Sequence, residues 1–168
     1  ILYPFVEGQD GYEVSLSEHH WEELGGALKR VHTTALPAVL RGAIRQETYA
    51  PQARDSVRSF LEKVARRDFA EPVAAQVAAF LRAKRADVLD LLGRAEALAQ
   101  AVRERGPAQV LCHSDIHAGN VLVARDGRLY IVDWDEPIRA PKERDLMYAG
   151  GGLMGGWRQP EEEEALFY

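Results

Sequence analysis

The side chains best suited to chemistry fall in the octapeptide His113-Ser114-Asp115-Ile116-His117-Ala118-Gly119-Asn120 and in Asp133-Trp134-Asp135 beyond it. A carboxylate, two imidazoles and a carboxamide can accept a proton, orient a hydroxyl and offer oxygen to a hard cation. Phosphoryl transfer uses that set. It asks the protein for little covalent work, only a carboxylate to receive the hydroxyl proton and ligands for magnesium. Asp115 suits the first task. Asn120 and Asp133 suit the second, since magnesium takes one or two protein oxygens and fills its shell with water and phosphate.

The flanking elements must bring these residues together. Gln109–Cys112 and Asn120–Val123 are expected strands on either side of the octapeptide. Arg125-Asp126-Gly127-Arg128 carries the Asp-Gly pair of a tight hairpin turn, with Leu129–Val132 as the returning strand. Antiparallel pairing would fold Asp133 back toward the Asp115 loop. Upstream the chain reads as helical. Ser17 caps a helix to about Val31, with Trp21, Leu24, Leu28 and Val31 as its apolar stripe. A second helix spans about 52–67, with Ala53, Val57, Phe60, Leu61 and Val64 on its inner face. Pro72 opens a third stretch whose apolar positions include Val77, Leu81, Val88, Leu91, Ala95, Leu98 and Val102. A break near 83–86 is expected there, and an end before Gly106-Pro107. Residues 2–6 read as a short strand or extended segment closed by a turn at Gly8, Asp10 and Gly11. Pro37 lies in a loop, as do Pro137 and Pro141, and 143–148 is expected to be helical. The fold class is α+β, mainly α-helical, with the chemistry on a small β-hairpin.

Asp115 and Asn120 are separated by the same step as the Asp and Asn of the protein-kinase catalytic loop. More fully, the octapeptide resembles the catalytic loop of the aminoglycoside phosphotransferase and choline kinase family, which shares the protein-kinase-like fold. Ile131-Val132-Asp133-Trp134-Asp135 is similar to that family's metal-binding segment, and Arg144-Asp145-Leu146 to its following helix start. Asp133 to Pro137 and Ala140 to Met147 look closest to the spectinomycin phosphotransferase branch. The resemblance implies that Asp115 is the catalytic base and that Asn120 and Asp133 hold Mg2+. It puts His117 near the transferred phosphate, where protein kinases carry a lysine. It implies that His113 and Asp145 support the loop, and that Phe5 and Val6 lie by the adenine of ATP. Apart from the resemblance, Asp135 and Glu136 could face a cationic substrate or a second metal, and could equally be solvated.

On the same resemblance, residues 1–8 are a hinge segment and 9–168 a kinase-like C-terminal lobe. The lysines Lys29, Lys63, Lys84 and Lys142 all lie downstream of that hinge. None stands where the nucleotide-lobe lysine belongs, so this chain by itself is expected to be inactive. The expected activity of the whole protein is ATP-dependent phosphorylation of a small cationic hydroxylated acceptor. An aminoglycoside or aminocyclitol antibiotic such as spectinomycin would suit, with antibiotic resistance as the outcome. Two other readings stay open. His113, Asp115 and His117 alternate, so on a continuous strand they would share a face and, with Asp133, form a metal-dependent hydrolase site. A non-catalytic kinase-like binding module is the other.

Composition narrows the field. The chain has 168 residues, with 21 Lys plus Arg against 26 Asp plus Glu, for a net charge of -5. That argues against a nucleic-acid partner. Hydrophobic content of 46% and charged content of 28% suit a globular protein. No apolar run reaches the ~18 residues of a membrane span, and no secretory signal opens the chain, so a cytoplasmic location is expected. The lone Cys112 excludes an internal disulfide and a cysteine-built zinc site. Gly150, Gly152 and Gly155 spell a G-x-G-x-x-G pattern, but they do not join a strand to a helix, so a packed or flexible loop is the better reading. Oligomeric state is not legible.

Overall fold

The computed structural model describes residues 4–150 and 154–167. Leu2 and Tyr3 of the expected first strand and Gly152 of the glycine pattern lie outside those residues. The elements, in order, are β1 (Gly8–Asp10), α1 (Glu18–His32), α2 (Ala38–Ala43), α3 (Gln52–Arg66), α4 (Pro72–Ala83), α5 (Arg85–Arg105), β2 (Val110–Cys112), β3 (Val121–Ala124), β4 (Leu129–Ile131), β5 (Ile138–Ala140) and α6 (Pro160–Phe167). Single 3-10 turns occupy Ala118–Asn120 and Lys142–Leu146. The chain forms two compact units, one of residues 1–47 with 108–168 and one of residues 48–107. Among the described residues, no helix is long and apolar enough to cross a membrane.

The first unit is built on α1. Ser17 caps it: the Ser17 hydroxyl accepts from the His20 amide and His20 Nδ1 accepts from the Ser17 amide, each at 3.2 Å. This is a capping box with histidine in the usual glutamate position. Because Nδ1 accepts, the His20 proton sits on Nε2 and is donated to the Gly127 carbonyl at 3.1 Å. The helix start is thereby tied to the β3–β4 turn. Trp21, Leu24 and Leu28 are buried with Leu16, Ile116, Val121 and Met154 in one core. The expected stripe is therefore the packed one, and it reaches the octapeptide through Ile116.

Two small sheets flank this core. One is ordered β1-β3-β4 and the other pairs β2 with β5, all antiparallel. The first strand is Gly8–Asp10, where a turn is expected, and residues 4–7 carry no strand, so of the expected strand or extended segment the strand is not formed over the described residues. Gly8 sets that register. A Cβ there would stand 2.4 Å from the Val123 carbonyl oxygen, so only glycine permits the β1–β3 approach. The hairpin turn is also not the expected two-residue form. The Gly127 amide donates to the Ala124 carbonyl at 2.8 Å and, of the loop residues, only Gly127 has positive φ, at 80°. Arg125 and Asp126 thus form an ordinary turn, and Gly127 takes the left-handed closing position.

Two elements lie beside prolines that the sequence places in loops. β5 is framed by Pro137 and Pro141, and proline is compatible with the ends of an edge strand. α2 begins right after Pro37. The expected helix at 143–148 is the 3-10 turn 142–146, which Pro141 precedes.

The second unit is a three-helix arrangement. Glu71 caps α4, accepting from the Val73 and Ala74 amides at 3.1 and 2.6 Å with Pro72 in the first turn. Those donations hold its carboxyl below the usual range. The expected break falls at Lys84. α3 buries Leu61 and Val64, while Phe60 is half exposed. α5 buries Leu92 and Ala99 and leaves Leu91 and Leu98 exposed. The packed stripe is displaced by one residue from the expected one, a rotation of about 100° on a helix. Both stripes are apolar, so periodicity does not choose between them.

Gly8→Val should disrupt β1 without unfolding the α1 core. Hydrogen exchange should accelerate at residues 8–11 and 122–124 while α1 amides stay protected. Unchanged protection at 122–124 would contradict the role given to Gly8.

Candidate active site

The octapeptide forms a loop between β2 and β3, pinned from inside. Ile116 and Ala118 are buried, and the Ala118 carbonyl accepts from the Gly11 amide at 2.9 Å. Asp145, from the 3-10 turn, is fully buried. Its Oδ1 accepts from the Ser114 amide at 2.6 Å, and its Oδ2 from the His113 amide at 3.2 Å and from His32 Nε2 at 2.8 Å. Ser114 has φ 76°, a left-handed conformation that costs a non-glycine residue about 1–3 kcal/mol. The Asp145 carboxylate meets the two amides that this conformation turns inward.

The next layer ties the loop to the Asp133 segment. His113 Nδ1 accepts weakly from the Asp115 amide at 3.4 Å, so its Nε2 proton goes to the Val132 carbonyl at 2.8 Å. The His113 ring meets the Trp134 ring edge-on at 4.6 Å. Buried Asn120 donates Nδ2 to the Asp115 carbonyl at 2.8 Å, and its own backbone carbonyl accepts from the Val132 amide at 3.0 Å. With Nδ2 so engaged, the Asn120 Oδ1 is the atom left for a cation. Asp133, the next residue, has φ 62° and is the second left-handed position of the site.

Asp115, Asp133, Asp135 and Glu136 line one cavity of about 340 Å³, together with Arg45 and Arg144. Four carboxylates against two guanidinium groups favour a cationic ligand or a divalent ion. A second cavity of about 780 Å³ is lined by Phe5, Val6, Tyr130, Ile131, Val132 and Trp134 among others. It is largely apolar, and Phe5 itself is 92% exposed. The segment 130–136 divides the two cavities: Val132 and Trp134 face the apolar one, Asp133 and Asp135 the acidic one. His117 lies beside Asp115. Its Nδ1 accepts from the Gly119 amide at 3.0 Å, which leaves the proton on Nε2, 3.8 Å from Asp115 Oδ2.

Three contacts were not anticipated. His32 closes α1 and donates to Asp145. Tyr148 donates its hydroxyl to Asp115 Oδ1 at 3.0 Å, which holds the phenol above its usual range. Tyr12 stacks on His117 at 6.1 Å. His32 and Tyr148 each act on a residue far away in sequence, so no local pattern signals them. The strand that the hydrolase reading requires is absent. Residues 113–117 are irregular, and His113 is turned to the Val132 carbonyl. Among the described residues, the His, Cys, Asp and Glu side chains close enough to share a metal are His32, Cys112 and Asp145. There the Asp145 oxygens already accept three hydrogen bonds. Cys112 is fully buried, with Sγ 3.5 Å from the Pro141 carbonyl, and burial with Asp145 nearby pushes its thiol up to about 12. Gly155 of the glycine pattern has φ 93° and is packed against the Gly11 carbonyl, which accepts from Trp157 Nε1 at 2.8 Å.

A family model described as the phosphotransferase enzyme family matches residues 1–166, and the chain belongs to that family. Spectinomycin phosphotransferase APH(9)-Ia, solved with ADP and spectinomycin, superposes with a TM-score of 0.85 at 38% identity, over 98% of this chain and 50% of that one. Its AMP-bound complex gives 0.85 and 38% over 99% and 52%. Choline kinase LicA from Streptococcus pneumoniae aligns more distantly, at 15% identity and a TM-score of 0.48 over 95% and 46%. No curated protein matches. The chain has the kinase-like α+β fold of the spectinomycin phosphotransferase and spans about half the length of that protein.

His32→Ala should cost about 1–3 kcal/mol, because it leaves a buried carboxylate oxygen one donor short. Denaturant unfolding measures this, and a loss within error would mean that the contact adds nothing. Cys112 should resist alkylation at about pH 8 in the native protein and react on unfolding. Its thiol ionises at higher pH folded than unfolded. Its contribution to stability is therefore complete below the unfolded value near ~8.5 and is lost as pH rises toward about 12. Cys112→Ala should flatten that alkaline decline.

Proposed function

We propose that this chain carries the catalytic loop of a nucleotide-dependent O-phosphotransferase acting on a small cationic hydroxylated acceptor. The observation that carries the reading is the joining of Asp115 and Asp133 on one acidic cavity, with Asn120 hydrogen-bonded to the backbone beside each. In this reading Asp115 receives the acceptor hydroxyl proton as the oxygen attacks the γ-phosphorus. The bond from that phosphorus to the β–γ bridging oxygen breaks, and the nucleoside diphosphate leaves. The His117 Nε2 proton lies beside the base, where it can hydrogen-bond a phosphoryl oxygen. His113 and Asp145 hold the loop.

Asn120 Oδ1 and the Asp133 carboxylate fit Mg2+, being hard oxygen donors on adjoining backbone. Magnesium, when bound, neutralises charge on the phosphate oxygens. Phe5 and Val6 border the apolar cavity, which suits a purine of ATP. Asp135 and Glu136 suit the ammonium groups of an aminocyclitol or aminoglycoside. The spectinomycin bound by the APH(9)-Ia neighbour supports an aminocyclitol, whose phosphorylation would confer antibiotic resistance. ATP supply suits a cytoplasmic setting.

Because the chain spans half the length of its solved neighbours, turnover belongs to the full-length protein. There Asp115→Ala should lower kcat by about 10²–10⁴-fold in an assay of ATP consumption with spectinomycin. Unchanged turnover would remove Asp115 from the mechanism. A panel adding other aminoglycosides and choline ranks acceptors by kcat/KM. A preference for choline would overturn the aminocyclitol assignment.

A further inference from the structure

We propose that Tyr148 is a positioning residue that commits one oxygen of Asp115 and so presents the other to the acceptor. The proposal rests on the reading of Asp115 as the base. The Asp115 backbone is fixed by Asn120, whose Nδ2 donates to its carbonyl at 2.8 Å. Its carboxylate is not fixed in that way, since the side chain is 53% exposed on an open cavity. A carboxylate in such a place rotates about χ1 and χ2 unless something holds it. The Tyr148 hydroxyl donates to Oδ1 at 3.0 Å. Oδ2 is left at 3.8 Å from His117 Nε2, beyond a direct hydrogen bond. Oδ2 is therefore the oxygen open to a hydroxyl.

The tether is itself held. The Tyr148 ring packs against the core formed by Trp21, Leu24, Leu28 and Ile116, and stands edge-on to the His117 ring at 5.8 Å and 83°. His117 is in turn stacked by Tyr12 and fixed by the Gly119 amide. A rigid ring carries its hydroxyl to one point with little loss of rotamer freedom, unlike a serine or glutamine reaching the same place. The phenol stays protonated beside the carboxylate, so it donates throughout and takes no proton from the acceptor. During transfer the acceptor O–H bond breaks, the Oδ2–H bond forms, and Tyr148 keeps its own proton. Reactions that depend on a fixed approach lose rate steeply when the approach is loosened.

The test is a double-mutant cycle in the full-length protein, with ATP and spectinomycin. Tyr148→Phe keeps the ring and its packing and removes only the hydroxyl. It should lower kcat by about 10- to 100-fold, leave KM for ATP and the melting temperature unchanged, and have no further effect in an Asp115→Asn background. An unchanged kcat, or the same fold loss in both backgrounds, would overturn the positioning role. If instead Asp115→Ala alone retained full turnover, the base assignment would fail first and the proposal with it.

Discussion

The site depends on one buried carboxylate. Asp145 accepts from two backbone amides of the octapeptide loop and from the last residue of α1. Taking a carboxylate out of water is costly, and the cost is offset only when its oxygens are met by donors. Here those donors are the amides of His113 and Ser114, which precede Asp115 directly, and the imidazole of His32. Ser114 holds its left-handed turn where both amides converge on Asp145, and that turn aims Asp115 into the acidic cavity. Helix α1, the loop and the 3-10 turn meet at a single charged group, so an error in any of them would be felt at Asp115.

Much of this was legible in the sequence. Ser17, Pro72 and Gly106 punctuate the helices because capping and ring geometry act within a few residues. The loop position of the octapeptide was legible because the apolar runs on either side of it are local as well. What escaped notice is non-local or degenerate. β5 exists because β2 needs a partner, and nothing within Ile138–Ala140 announces it. Gly127 closes its turn alone, although the Asp-Gly pair equally suits the two-residue form. α5 offers two apolar stripes, and only its neighbours select Leu92 and Ala99. His32 and Tyr148 acquire their roles from Asp145 and Asp115, across sequence distances that no spacing rule spans.

The histidines show how one residue type serves different ends. His20 caps a helix and grips a turn. His113 joins the loop to the Val132 carbonyl, and His32 supports Asp145. His117 carries its Nε2 proton 3.8 Å from Asp115 Oδ2. In His20, His113 and His117, a nitrogen that accepts from a backbone amide determines which nitrogen carries the proton. Backbone geometry therefore sets the tautomer before any ligand arrives.

The segment 130–136 runs between an oily chamber and an acidic one, with Val132 and Trp134 on the first and Asp133 and Asp135 on the second. Selection acting on either chamber meets a different set of codons. Exchange of Asp135 or Glu136 can retune what is admitted on the acidic side while Val132 and Trp134 keep the other wall intact. The wall between the two chambers is a single thickness of backbone, turned once by the left-handed Asp133.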